Sequence, residues 1–112
     1  MRILELESLD SREITQFASV GFTLSTIGVL KPGHVSVLTL APGGVVGRHP
    51  AVGVQLLIVL AGSATVSGSH GAPARVEGGQ AVVWEAGEDH ETRSEAGLTA
   101  LVLEGAWERG PD

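Results

Sequence analysis

Residues 43–62, Gly-Gly-Val-Val-Gly-Arg-His-Pro-Ala-Val-Gly-Val-Gln-Leu-Leu-Ile-Val-Leu-Ala-Gly, decide the fold of this chain. The stretch is typical of two strands and a turn, because apolar residues dominate its ends while proline and glycine bend its middle. His49 and Gln55 are its side chains with strong metal-ligand or hydrogen-bonding chemistry. Pro50 follows the histidine, and Gly53 lies two residues before the glutamine. This combination indicates a site, which the rest of the chain would hold at one end of a barrel together with His90.

Short strand-like segments separated by glycine-rich turns continue on both sides of this stretch. No apolar pattern of helical period extends over ten residues. The segments that we predict as strands are residues 21–27, 34–40, 63–67, 74–77, 80–84, 90–95 and 98–104. Their spacing of about 8 to 12 residues predicts an all-β barrel or sandwich.

The first residues of the chain are compatible with two local structures. Polar and apolar residues alternate between Arg2 and Glu7, which favours an edge strand with one wet face. Asp10 or Ser11 could instead cap a helical turn. We expect one domain over residues 1–112, with an N-terminal strand or arm in residues 1–20 and the barrel core in residues 34–104.

Composition excludes several classes of function. The chain has no cysteine, so it has no disulfide and no thiolate nucleophile or metal ligand. Seven basic and thirteen acidic residues give a net charge of -6 without a basic cluster, which argues against nucleic-acid binding. Glu5 and Glu7 interrupt the apolar start, and the apolar run 52–61 is short, so neither a signal peptide nor a membrane span is expected. We expect a soluble cytoplasmic protein.

The spacing of two groups of residues resembles the cupin family. Its first motif has a glycine, two histidines, a glutamate and a final glycine, at the separations found here for Gly43, His49, Ala51, Gln55 and Gly62. Its second motif has a glycine, a proline, a glycine, a histidine and an asparagine. The matching residues here are Gly79, Glu85, Gly87, His90 and Ser94. The resemblance implies a double-stranded β-helix, a jelly-roll barrel with a metal at its open end.

Three departures from these motifs weaken the implied metal site. Ala51 replaces the second histidine, Gln55 replaces the glutamate and Glu85 replaces the proline. Only His49 and His90 remain as matched imidazoles, and two imidazoles with one amide bring no negative charge to a divalent cation. We therefore expect His49, Gln55 and His90 to hold at most one weakly bound divalent metal ion, whose identity is open.

Other polar residues have competing interpretations. Gln55 could simply satisfy backbone groups. His34 and His70 are expected to be exposed, Trp84 to lie in the core, and the turn with Glu85, Glu88 and Asp89 to be a solvated acidic rim of the mouth. Strand alternation places Thr92 and Ser94 on the same face as His90, and directs Glu91 away from the cavity.

We favour a binding module for a small polar ligand. The alternatives are a metal-dependent cupin enzyme, an oxygenase or isomerase acting on a small polar substrate, and a structural protein whose barrel is merely stable. A homodimer is also expected, because the strand 54–61 is apolar on both faces apart from Gln55. This strand would place Leu56, Ile58 or Leu60 in the interface or just beneath it.

Overall fold

A computed structural model describes residues 1–31 and 33–109, which form an almost entirely antiparallel β structure. The predicted all-β, double-stranded β-helix architecture is confirmed. The strands in these ranges are β1 (Arg2–Glu5), β2 (Ser11–Glu13), β3 (Thr23–Ser25), β4 (Gly28–Leu30), β5 (His34–Leu40), β6 (Gly44–Pro50), β7 (Val54–Ser67), β8 (Ala74–Glu77), β9 (Gln80–Trp84), β10 (Asp89–Ser94), β11 (Leu98–Gly105) and β12 (Trp107–Arg109). Two single 3-10 turns, Leu6–Ser8 and Gln16–Ala18, accompany them.

The long strand β7 belongs to two layers. Its first half pairs with β9 and β11 in a larger sheet of order β1-β9-β7-β11-β5. Its second half pairs with β8 and β10 in a smaller sheet of order β8-β7-β10-β6. Strands that follow residues 43–62 in the chain are therefore brought together by pairing with the single strand β7.

Gly62 is where β7 passes from the larger sheet to the smaller one. Its φ is +83°, a left-handed conformation that side chains rarely adopt. A Cβ atom at this position would lie 2.1 Å from the carbonyl oxygen of Gly97. The pairing of β7 with β11 shifts register between Thr99 and Ala100, next to this bend. Only glycine fits both the backbone angle and the close approach.

The apolar core lies between the two layers. Trp84 and Val82 of β9 pack there with Leu57 of β7 and Val66 from the far half of the same strand, and all four are almost fully buried. Burial of each such side chain contributes roughly 1.5–3 kcal/mol to stability. The predicted core position of Trp84 is confirmed.

The outer face of the larger sheet is also apolar, and the chain covers part of it. Leu56 is buried in a second cluster with Leu4 of β1, and Ile27 packs against this cluster. An open groove of about 330 Å³ remains between Leu24 and the sheet residues Ile58 and Leu56. The chain's own N-terminal residues therefore cover Leu56, which we expected at or beneath a dimer interface, because Ile27 folds back over the sheet.

The N-terminal region contains an edge strand and a separate hairpin. β1 pairs with β9, so the predicted edge strand is confirmed. The helical turn considered for Asp10 or Ser11 is wrong, because residues 11–13 pair with β3 in a two-stranded hairpin. Phe17 at the tip of this hairpin is 95% exposed. The radius of gyration of 15.0 Å exceeds the roughly 13 Å expected for a compact chain of this length.

Candidate functional site

Two histidines meet at one end of the barrel. His49 on β6 and His90 on β10 are paired residues of the smaller sheet, and their ring centroids lie 4.4 Å apart. His90 is 2% exposed, whereas His49 is exposed. The ring of Trp84 packs on the other side of His90, at 4.7 Å between centroids. Trp84 is held in turn by its Nε1, which donates to the carbonyl oxygen of Ser67 at 3.1 Å.

Backbone carbonyls fix the orientation of both imidazoles. The Nδ1 of His49 lies 2.7 Å from the carbonyl oxygen of Gly47, and that of His90 lies 3.3 Å from the carbonyl oxygen of Glu88. A carbonyl oxygen can only accept, so each Nδ1 must carry the proton. In the neutral form of each ring, Nε2 is then an acceptor, and it has no hydrogen-bond partner in the part of the chain that the structure describes.

His90 is neutral near pH 7. Burial lowers its pKa below the ordinary 6.5, and the neighbouring His49 lowers it further. The hydrogen bond to Glu88 and the charges of Glu104 and Glu88 act in the opposite direction without reversing the shift. A neutral imidazole can accept a hydrogen bond or bind a metal, which a protonated one cannot.

Gln55 forms a side-chain pair with a residue that the motifs did not indicate. Gln55 on β7 and Glu104 on β11 are partners in register, and the amide Nε2 donates to the Oε1 of Glu104 at 2.5 Å. Gln55 is 8% exposed and Glu104 is half-buried. The alternative that Gln55 serves backbone groups is therefore wrong. Residues 100, 102 and 104 share one face of β11, and Ala100 and Val102 on that face pack in the core. Strand alternation in the sequence could therefore have indicated that Glu104 faces inward.

Cross-strand pairing joins these groups into one site. Gln55 is also in register with Trp84 of β9, so its side chain lies beside the ring that contacts His90. Glu104 is close enough to act electrostatically on His90. His34, which is exposed as expected, is in register with Glu104 at the rim.

Two residues expected in the mouth behave differently from each other. Thr92 is buried as the alternation indicated, whereas Ser94 lies at the opposite end of β10, about 13 Å along the strand from His90. The hydroxyl of Ser94 donates to the carbonyl oxygen of Ser63 at 2.6 Å and accepts from the backbone N–H of Gly97 at 2.9 Å. The expectation that Ser94 lines the mouth is wrong, because it closes the turn between β10 and β11.

The turn between β9 and β10 is held in place by backbone hydrogen bonds, and its acidic residues Glu85 and Asp89 are exposed as expected, unlike Glu88. The backbone N–H of Ala51 donates to the carbonyl oxygen of Glu88 at 2.9 Å, and that of Gly87 donates back to Ala51 at 2.8 Å. The side chain of Glu88 is 11% exposed and lies 2.8 Å from the amino group of Met1. Glu88 is therefore not part of a solvated rim, because its charge is paired with a cation. Ala51, where the resemblance has a second ligand, instead anchors this turn.

Low pH should reduce the folding stability of the protein by protonating Glu88. Burial raises the pKa of this carboxyl, but the bond from the Met1 amino group, with further contributions from the Glu85 and Ser69 backbone, outweighs it and lowers the pKa below 4.5. The resulting stability is present above pH 4.5 and is lost as the pH falls through the lower folded value.

We expect Glu88→Gln to reduce the free energy of unfolding at pH 7 by about 1–3 kcal/mol, since a charged hydrogen bond is lost. The difference from the parent should shrink toward pH 3, which urea titrations at both pH values would measure. Glu85→Gln is the matched control, because that carboxylate is 63% exposed and 3.4 Å from Arg2. Equal losses in the two variants would contradict the assignment.

Comparison with known proteins finds similar structures but no similar sequences. No protein-family model and no curated protein matches the sequence. A cupin superfamily protein from Desulfitobacterium hafniense matches at 15% identity and a TM-score of 0.61, over 70% of this chain and 73% of that one. An RmlC-like cupin from Shewanella frigidimarina matches at 16% identity and a TM-score of 0.61, over 89% of this chain and 86% of that one. The fold is that of a small cupin domain.

A third structure similar to this chain carries a name that states an activity. It belongs to a crystallographic description of DMSP lyases and matches at 27% identity and a TM-score of 0.58. The match covers 68% of this chain but only 37% of that one. The match therefore spans little more than a third of that longer chain.

The side chains of this chain do not make a complete metal site. Within residues 1–31 and 33–109, no group of three or more histidine, aspartate or glutamate side chains is placed to hold a metal ion. His49 and His90 supply two imidazoles, and Gln55 adds an amide already bonded to Glu104. Structural and catalytic zinc sites use at least three strong protein ligands, so this donor set does not fit a resident metal. A weak metal held by His49, Gln55 and His90 stays a prediction.

No helix in the described part of the chain is long and apolar enough to cross a membrane.

Proposed function

We propose that this cupin barrel binds a small polar molecule at its mouth, between His49, His90, Gln55 and Glu104. The observation that supports the proposal is the pair of oriented imidazoles, each with an unpaired Nε2, beside an amide and a carboxylate. Such groups on strands are held rigidly, which reduces the entropy lost on binding. Binding sites typically combine apolar walls with a few polar groups of this kind.

The unpaired acceptors are accessible to a ligand. Among the described residues, no buried side-chain nitrogen or oxygen lacks a hydrogen-bond partner. The Nε2 of His90 and the Oε1 of Gln55 have no such partner among the described residues, so neither atom is fully enclosed although their residues are mostly buried. A small molecule could replace that solvent.

Ligand-observed NMR with a library of small polar molecules tests this function. We expect weak binders whose signals are lost with His49→Ala or His90→Ala, because each substitution removes an oriented acceptor and leaves its carbonyl partner unpaired. His70→Ala is the control, since His70 is exposed in the turn after β7. Binding that survives both mouth substitutions, or no binding at all, would overturn the proposal.

The alternative is a metal-dependent enzyme, an oxygenase or isomerase, with His49 and His90 as ligands. The likeness to a chain described among DMSP lyases favours it, although that chain is much longer. The donor set argues against it, because no carboxylate completes the group of ligands. Metal analysis of protein purified without chelator decides between the two, since near-stoichiometric metal would favour the enzyme.

We further propose that the partner of this chain is a second copy, arranged as a twofold dimer. Val35 and Val37 of the edge strand β5 are 61% and 66% exposed on the outer face of the larger sheet. The N-terminal hairpin has uncovered apolar residues of its own. The exposed apolar residues of both surfaces are Phe17, Val20, Phe22, Leu24, Val29, Val35, Val37 and Leu60.

A standard interface takes roughly 800 Å² from each partner, so a dimer of this size would need the apolar side chains of both surfaces. The hairpin of one copy laid on the open sheet face of the other, and the reverse, would cover both surfaces.

Light scattering at micromolar concentration should therefore give the mass of a dimer. Val35→Lys with Val37→Lys should shift it to a monomer, because two charges would be buried in the interface. Val52→Lys is the control, since Val52 is also an exposed valine but lies in the turn before β7. A monomeric parent protein would contradict this proposal.

We also propose the cytoplasmic location expected from the sequence, which cell fractionation would test.

A further inference from the structure

The polar atoms at the mouth are mostly hydrogen-bond acceptors. The Nε2 atoms of His49 and His90 are acceptors, because both Nδ1 atoms donate to backbone carbonyls. The Oε1 of Gln55 and the second carboxylate oxygen of Glu104 are also acceptors. The second N–H of the Gln55 amide is the one donor that these four side chains have left. A ligand that matches them must supply donors.

The negative charge of Glu104 also favours a ligand that carries hydrogen-bond donors, because such a ligand can be positively charged. Glu104 is half-buried, and its partner is the neutral amide of Gln55. Within residues 1–29, 31 and 33–106, whose side chains the structure describes, no ion pair to Glu104 exists. A partly buried carboxylate without a cation is unfavourable, so a positive ligand would be stabilised there.

Two cationic groups of the chain, Arg48 and the Met1 amino group, are engaged elsewhere. The guanidinium of Arg48, next to His49 in the sequence, donates to the Ser67 hydroxyl at 3.2 Å and to the carbonyl oxygen of Gly68 at 2.7 Å. The Met1 amino group is paired with Glu88. Neither group is therefore available to neutralise Glu104.

From these observations we infer that the mouth selects a small organic cation with N–H donors, of the alkylammonium or guanidinium class. The cation places its charge against the carboxylate of Glu104 and donates to the imidazole Nε2 atoms and the Gln55 oxygen. Both features of the ligand are required, because the site offers one negative charge and several acceptors but little that can donate. This inference rests on the proposed function and specifies its ligand.

Four probes of similar size separate charge from donor capacity. Propylammonium is a cation with N–H donors, and tetramethylammonium is a cation without them. Propanol is a neutral donor, and propionate is an anionic acceptor. Each is titrated into the full chain with a chelator present, while the ring nitrogens of His49 and His90 and the Gln55 amide are followed by NMR. A chelator removes metal as a competing cation.

We expect propylammonium to shift these signals at the lowest concentration, with propionate the weakest probe. Glu104→Gln should weaken propylammonium binding by about tenfold or more, since a charge-assisted hydrogen bond becomes a neutral one. Glu95→Gln should have no effect, because Glu95 is an exposed carboxylate in the turn before β11. The comparison of probes on the parent protein stands even if Glu104→Gln does not fold.

Three outcomes would overturn the inference. Propanol or propionate binding as well as propylammonium would show a site for polar molecules that does not select cations, and the proposed function would survive. Tetramethylammonium binding equally would remove the role of N–H donors. Absence of propylammonium binding, with hits from the wider library still lost in the histidine variants, would reject the cation and keep the binding site.

Discussion

The double variant Ala51→His with Gln55→Glu is expected to bind Zn²⁺ at least about 100-fold more tightly than the parent protein. Loss of a residue that merely supports a metal ligand already lowers metal affinity by up to about 100-fold, and here two ligands are added. The two substitutions add an imidazole and a carboxylate beside His49 and His90, whose rings already lie 4.4 Å apart. The added negative charge attracts the cation, and the ligand count reaches that of natural zinc sites.

The same variant should be less stable than the parent when no metal is present. The Gln55 amide now donates to Glu104 at 2.5 Å, and Gln55→Glu would place two carboxylates at that distance. Like charges this close cannot both ionise freely, so the free energy of unfolding should fall by roughly 1–3 kcal/mol. Zinc should then raise the melting temperature above that of the metal-free variant, because it binds only the folded form strongly.

Gln80→Glu is a matched control for this experiment. The Gln80 amide donates to Glu5 at 2.6 Å in the same way, but on the exposed edge of the sheet and away from the histidines. It should bring the charge repulsion without the gain in zinc affinity. Calorimetric titration of zinc into the parent and both variants measures the affinities. If the double variant binds zinc no better than Gln80→Glu, the four positions do not surround one site.

The parts of this fold that depend on local sequence could be predicted. β5, β8 and β9 begin and end at the residues that alternation and glycine turns indicated. His49 and His90 were expected together because the spacing of glycines and histidines resembles the cupin motifs, and they lie on paired strands.

Contacts between distant parts of the chain could not be predicted in this way. Glu104 meets Gln55 across 49 residues, and Glu88 meets the Met1 amino group across 87. No periodicity encodes such a pairing, which depends on the order of strands in the finished sheet. Ser94 shows the converse limit, since it shares a strand face with His90 yet lies at the other end of the barrel. Strand alternation predicts which face of the sheet a side chain lies on, but not at which end of the barrel it lies.

Gly62→Ala is expected to lower the free energy of unfolding by about 3–5 kcal/mol, which is a large part of the stability of a domain this size. The added Cβ would lie 2.1 Å from the Gly97 carbonyl oxygen, and the backbone angle of +83° is itself unfavourable for alanine. A backbone carbonyl cannot rotate away as a side chain can. The turn that carries it must move instead.

Gly71→Ala separates the two contributions. Gly71 has a φ of +84°, but nothing lies within 4 Å of its added Cβ, so this variant bears the strain of the angle without the clash. It should lose about 1–2 kcal/mol. Thermal unfolding of both variants measures the difference, which should exceed about 5 °C. Equal melting temperatures would mean that the close approach at Gly62 contributes nothing.

The bend at Gly62 also sets the geometry of the candidate site. Gln55 and Glu104 stand on the larger sheet, whereas His49 and His90 stand on the smaller one. β7 is the strand that the two sheets share, so a change in its bend moves one pair of side chains relative to the other. Gly62→Ala should therefore weaken ligand binding even at temperatures where the variant remains folded, whereas Gly71→Ala should not. NMR titration of both variants well below their melting temperatures would detect this loss.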